Sequence, residues 1–183
     1  EGNFEGKSIP NLINTNSSTG RFDKFLPAIR EYRRKRCHLN TDDKILTSWN
    51  SLMIMALCTL YHISRKAEYI TAAIKAQNYI EKTLCDQDTL YVSYRNGNRS
   101  GKGFLDDYAN YICALLSLHD VTLDKTYLER AKDLAKKTID NFFDFEAGGF
   151  YLYGKDNEVL ILRPKECYDG AIPSGNSMMA NCL

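Results

Sequence analysis

The stretch Trp49-Asn50-Ser51-Leu52-Met53-Ile54-Met55-Ala56-Leu57-Cys58-Thr59-Leu60-Tyr61 decides the fold class. Its apolar positions Trp49, Leu52, Met53, Ala56, Leu57 and Leu60 follow the i, i+3, i+4, i+7, i+8 series of an α-helix. The opposite side, with Ile54, Met55, Cys58 and Tyr61, is apolar as well. A helix without a wet face must be covered on every side, so the pattern predicts a helix buried all round. The following segment differs. Tyr69, Ala72, Ala73, Ala76 and Ile80 make one stripe, backed by Lys75, Gln77, Asn78, Glu81 and Lys82, which predicts a half-exposed helix.

The same alternation returns 58 residues later, Ala56 falling on Ala114, Leu57 on Leu115, Leu60 on Leu118, Tyr69 on Tyr127 and Ala73 on Ala131. Tyr108 to Leu118 reads as a second helix apolar all round, and Tyr127 to Phe142 as a second amphipathic one. Leu90–Arg95 and Gly149–Tyr153, alternating and rich in aromatics, predict small β-hairpins between the units. A third buried helix begins near Ser174 with Met178, Met179 and Ala180. Repeated helix pairs form a solenoid or a closed ring, and enclosed inner helices favour the ring. The expected fold is therefore all-α, an (α/α) toroid of the six-hairpin glycosidase-like type, present as a partial barrel. At this spacing six pairs need roughly 350–400 residues. The expected division is a lead-in with a basic helix (1–40), a first pair with its hairpin (41–102), a second (103–168), and the start of a third inner helix (169–183). The missing initiator methionine, and a last helix that stops at Leu183 without cap or glycine, predict a piece of a longer barrel whose open edges can self-associate.

Bulk properties narrow the partners. A net charge of +1 gives no general attraction to nucleic acid or anionic lipid, and no apolar run approaches the ~20 residues that span a bilayer. The basic run Arg30–Arg36 is expected to be a solvated helix C-terminus. Of the six cysteines, Cys37, Cys58, Cys85, Cys113, Cys167 and Cys182, none form a CxxC pair. They read as reduced thiols packing as small hydrophobes, which predicts a cytosolic setting. His38, His62 and His119 lack metal-ligand spacing, and no glycine-rich loop follows a strand, so neither metal nor cofactor is expected.

The loops leading into the inner helices, Thr41–Asn50, Gly103–Tyr108 and Asp169–Ser177, are rich in carboxylates, amides, aromatics and glycine. In a ring they converge on one mouth, which makes a carbohydrate-like small molecule the expected ligand. Asp106 and Asp107 are adjacent on a helix, so their side chains point ~100° apart and cannot flank one bond. Glycosidic chemistry needs two carboxyls about 5–9.5 Å apart across the substrate, so Asp107 is paired in expectation with Asp43 or Asp169, while one of Asp106 and Asp107 caps the helix. Trp49 is a core anchor or a stacking platform for a sugar ring. Asn50 and Asn176 cap helices or bind hydroxyls, and Tyr108, Arg95 and Lys44 are further ligand-contacting candidates.

The stretches Gly2–Lys7, Asp42–Asn50, Gly103–Ala109 and Asp169–Ser177 resemble, in this order, the spermatogenesis-associated, thioredoxin-like proteins. Ser51 stands where that family's pattern has glycine after Trp-Asn. The resemblance implies an N-terminal thioredoxin-like domain followed by a six-hairpin barrel similar to N-acylglucosamine 2-epimerases and glycosidases. It implies a hydrolase- or epimerase-like activity, or a non-catalytic toroid that holds a ligand or protein partner for the thioredoxin-like domain.

Overall fold

The computed structural model describes residues 5–7, 23–36, 41–158 and 161–183. Gly2 to Phe4, Cys37 and His38 lie outside them. The chain divides into two compact units, 1–42 and 43–183. The first carries α1 (Leu26–Arg36), whose side chains are all exposed and whose last turn holds Arg33, Arg34, Lys35 and Arg36. Cations there complement the negative end of the helix.

The second unit holds the repeats: α2 (Thr47–Ser64), α3 (Ala67–Thr83), α4 (Leu105–Thr122), α5 (Lys125–Phe142) and α6 (Gly175–Cys182). α4 is the centre, packed against α2, α5 and α6. Tyr108, Tyr111, Ile112, Leu115 and Leu118 are all fully enclosed there, as its all-round apolar sequence requires. α2 departs from the same expectation. Only Thr47, Ser51, Ile54 and Cys58 are buried, and Trp49, Met53, Leu60 and Ile63 are exposed. The reason is positional: α2 has an inner-helix neighbour on one side, whereas α4 has one on each side.

Short links join each inner helix to its outer partner. Arg65 and Leu123 end α2 and α4 in the left-handed conformation (φ 56° and 59°), each amide donating back to the last turn. The outer helices are bound to one another through Arg130 of α5, which pairs with Glu81 of α3 (3.0 Å) and with Asp88 (2.6 Å). Tyr111 donates to the same Glu81 carboxylate and accepts from Gln77. Burial and the Glu81 charge push its phenol well above the usual range.

Between the pairs, β3 (Thr89–Arg95) and β4 (Asn98–Lys102) form the expected first hairpin, with Tyr91 opposite Lys102 and Arg95 opposite Asn98. Asn96 and Gly97, both at positive φ, make its turn. β1 (Ile45–Leu46) and β2 (Cys85–Asp86) extend the sheet on the other edge of β3. The second expected hairpin is reduced to a single bridge, Phe143 with Phe150, because Asn176 takes up the Phe150 backbone.

The expectation of reduced thiols is corrected at one pair. Cys113 of α4 and Cys182 of α6 are joined in a disulfide, their Cα atoms 5.9 Å apart across the packed helices. Cys58 and Cys85 are free and buried, and burial pushes both thiols up to about 11, the pattern of inert packing residues. Among the described residues no helix is long and apolar enough to cross a membrane, and no group of three or more His, Cys, Asp or Glu side chains could hold a metal.

Candidate functional site

The N-terminal ends of the three inner helices lie together, and α4's first turn is the joint. The Asp107 carboxylate accepts from the Phe104 amide (3.0 Å), satisfying one unpaired donor at the start of its own helix. Its other oxygen accepts from the Ser48 amide (3.1 Å) at the start of α2. Asp107 thus fastens two helix N-termini with one side chain and is only 3% exposed. Burial raises its carboxyl to about 7, against the pull of the two backbone donors and with the Asp106 charge adding to the rise.

Asp106 faces α6 instead. A Cβ at Gly175 would lie 2.5 Å from Asp106 Oδ1 and 2.7 Å from Leu105 Cγ, so only glycine lets the α6 N-terminus press so closely on α4. Asp106 Oδ1 is buried and accepts no hydrogen bond. Desolvation raises this carboxyl, the Gly175 amide pulls it down, and the nearby Glu166 charge adds to the rise. The two adjacent aspartates thus address different neighbours, as their angular separation on a helix demands.

The third loop is occupied with its own architecture. Asp169 accepts from the Ser174 amide (2.8 Å) and the Ser177 hydroxyl (3.0 Å), bonds that hold its carboxyl below the usual range. Ser174 caps α6 by accepting from the Ser177 amide. Asn176 accepts from Phe150 N (2.7 Å) and donates to Phe150 O and Glu166 O (2.9 Å each), acting as a substitute strand partner. These bonds give Asn176 a bracing role.

At the start of α2, Thr47 donates to Tyr91 O (2.6 Å), and Asn50 donates to Leu46 O (2.8 Å), which makes Asn50 a local brace. Asp43 pairs with Arg95 at half-exposed positions. Lys44 is exposed, and Trp49 is 64% exposed, with its flat apolar face in solvent. Tyr108 stands apart. Its hydroxyl accepts from Leu90 N (3.0 Å) and donates to Asp88 O (3.3 Å), its ring lies against Phe142, and burial pushes its phenol to about 12. Its expected place at the mouth is corrected: it anchors α4 to the hairpin on the outer side.

The contact between Asp106 and Gly175 escaped the sequence reading because the glycine's meaning depends on what stands opposite. Glu166 lies outside every motif, and nothing in its neighbours signals a role.

No family model matches the chain. It is 31% identical to an uncharacterized Caenorhabditis elegans protein over 82% of this chain and 22% of that protein. It is 28% identical to spermatogenesis-associated protein 20 of Rattus norvegicus over 98% of this chain and 23% of that protein. The chain thus spans less than a quarter of the length of these curated relatives. Among solved structures, a cellobiose 2-epimerase of Spirochaeta thermophila superposes with a TM-score of 0.62 at 17% identity, over 76% of this chain and 37% of that one. A D-mannose isomerase gives 0.61 at 20% identity over 75% and 37%. A family 76 mannosidase of Bacteroides thetaiotaomicron gives 0.56 at 18% identity over 79% and 39%. The helical unit has the fold of (α/α)6 toroids of the epimerase and glycosidase type. At such identities the likeness carries the fold and no activity.

Proposed function

We propose that this chain contributes a carbohydrate-processing site at the mouth where α2, α4 and α6 begin. The observation that carries the proposal is the pair of raised carboxyls there, Asp107 shared by two helix N-termini and Asp106 with one oxygen unpartnered. A carboxyl raised above the ordinary carboxylate range suits proton transfer to a glycosidic or anomeric oxygen. Asp106 is the acid/base candidate because it is only half-buried, whereas Asp107 is sealed between two helix starts. Asp107, both of whose oxygens are held by backbone amides, is the positioning residue. Asp43, Asp169, Arg95, Lys44 and Asn50 form the surrounding rim, and Trp49 offers the apolar face on which a sugar ring stacks.

A second reading is a toroid that binds a ligand or partner, such as a thioredoxin-like domain, without turnover. It is favoured by the bracing roles of Asp107, Asp169 and Asn176, which leave few polar groups free for chemistry. The two separate when the full-length polypeptide is incubated with cellobiose, mannose and α-1,6-mannotetrose and followed by NMR. Isomerisation or cleavage that Asp106→Asn abolishes with the fold intact supports the enzyme. Binding without turnover supports the second reading, and neither binding nor turnover overturns both.

A further inference from the structure

The segment that leads into α6 carries a carboxylate at the mouth that none of the sequence motifs contains. Glu166 is exposed, and its main chain is held against the start of α6, where Asn176 Nδ2 donates to Glu166 O (2.9 Å). Asn176 follows Gly175, the residue that presses on Asp106 and Leu105. Glu166 and Asp106 thus stand on neighbouring walls, near enough that the Glu166 charge is felt at Asp106. The Tyr168 amide donates to Glu166 Oε1 (3.1 Å), which orients the carboxylate and leaves its second oxygen without a donor among the described residues.

Three other carboxylates of the mouth loops are engaged. Both Asp107 oxygens accept from helix-start amides, both Asp169 oxygens accept from Ser174 and Ser177, and Asp43 is paired with Arg95. A separate observation points to a ligand. Asn110 lies one turn below Asp106 on the same face of α4, and helical side chains lean toward the N-terminus, here toward the mouth. It is 1% exposed, and its Oδ1 accepts no hydrogen bond from the described residues. A buried acceptor left bare is a cost that a ligand hydroxyl, or the water it displaces, removes. Of the histidines described, His62 and His119 sit in the last turns of α2 and α4, at the far end from the mouth, so the acid and base here are carboxyls.

We infer that Glu166 is the second carboxylate of the site and that the mouth is built for glycoside hydrolysis, with Asp106 as the acid and Glu166 as the base. The inference rests on the carbohydrate-processing reading above and narrows it to one reaction class. Desolvation raises Asp106, whereas Glu166 stands in solvent, and that difference in surroundings divides the roles. Asp106 gives its proton to the glycosidic oxygen as the bond from that oxygen to the anomeric carbon breaks. Glu166 takes a proton from the water whose oxygen bonds to the anomeric carbon. One water is consumed, and a proton passed from Glu166 to Asp106 through solvent restores both groups. Asn110 supplies an acceptor for a sugar hydroxyl beneath them.

The test uses the full-length polypeptide with α-1,6-mannotetrose and a panel of 4-nitrophenyl and 2,4-dinitrophenyl glycosides. Glu166→Gln is expected to lower kcat by about 100-fold or more on every substrate the parent cleaves, with KM nearly unchanged. Asp106→Asn is expected to do so only where the leaving group needs a proton, sparing the 2,4-dinitrophenyl glycosides. Azide added to Glu166→Ala is expected to restore turnover with a glycosyl azide as product, a signature that a merely structural glutamate does not give. Glu166→Asp keeps the charge and is expected to recover part of the loss, which covers the case of a neutral variant that folds poorly. Cleavage that Glu166→Gln leaves within about threefold of the parent overturns the inference, and the site reading then stands or falls on Asp106 alone. Isomerisation without cleavage overturns the inference and keeps the site reading. Neither binding nor turnover sinks both.

Discussion

α2 and α4 occupy the same place in successive repeats and have similarly apolar sequences, yet one is enclosed and the other keeps a dry face in solvent. Composition fixes what a helix can tolerate around it, while its place in the row of inner helices fixes what it receives. The comparison is sharpest at Leu60 and Leu118, equivalent in the repeat, the first 45% exposed and the second fully buried.

The largest expected effect breaks that symmetry directly. Leu118→Ala leaves a cavity at the α2–α4 contact and is expected to cost about 2–5 kcal/mol, whereas Leu60→Ala in the 183-residue chain is expected to stay within about 0.5 kcal/mol. Urea unfolding of the two variants measures the difference, and equal losses would mean that the two helices are equally covered.

A smaller effect concerns the mouth. Asp107 is raised to about 7 in the folded chain, above the ordinary carboxylate value near 3.9. The folded state therefore binds the proton more tightly, and the contribution of Asp107 to stability is complete below about pH 4 and is lost as pH rises toward 7. Asp144 and Asp169, both lowered, tilt the profile the other way, so the difference between variants is the useful quantity. Asp107→Asn is expected to be less stable than the parent at pH 4, where it loses one backbone bond, and to recover relative to it by pH 7. Tm measured across that range checks the sign, and a difference independent of pH would show that Asp107 is not raised. The smallest effect is at the α2 rim: Asp43→Asn is expected to cost less than about 1 kcal/mol, because both members of its ion pair with Arg95 are half exposed.

Much of the fold was legible in the residues. The offset that lays Leu60 on Leu118 predicts the helix pairs, and the Asn96-Gly97 turn agrees with the first hairpin. What failed was whatever depends on a neighbour. The exposure of α2, the replacement of a second hairpin by the Asn176 amide, and the pairing of Cys113 with Cys182 are all decided between elements far apart in sequence. The site was legible as a cluster of loops and illegible as roles. Sequence alone favoured Asp107 as the group facing a ligand; in the structure both its oxygens accept from amides at two helix starts, and the neighbouring Asp106 is the half-buried one of the pair.

The links after α2 and α4 carry a last consequence. Arg65 and Leu123 hold the same left-handed backbone at equivalent places, a conformation that costs a side-chain-bearing residue on the order of 1 kcal/mol and that glycine would adopt freely. A bend that recurs with unrelated side chains is imposed by the helices on either side of it and owes nothing to local chemistry. These two corners behave like interchangeable hinges in a chain of identical panels: the panels set the angle, and the pin can be made of almost anything.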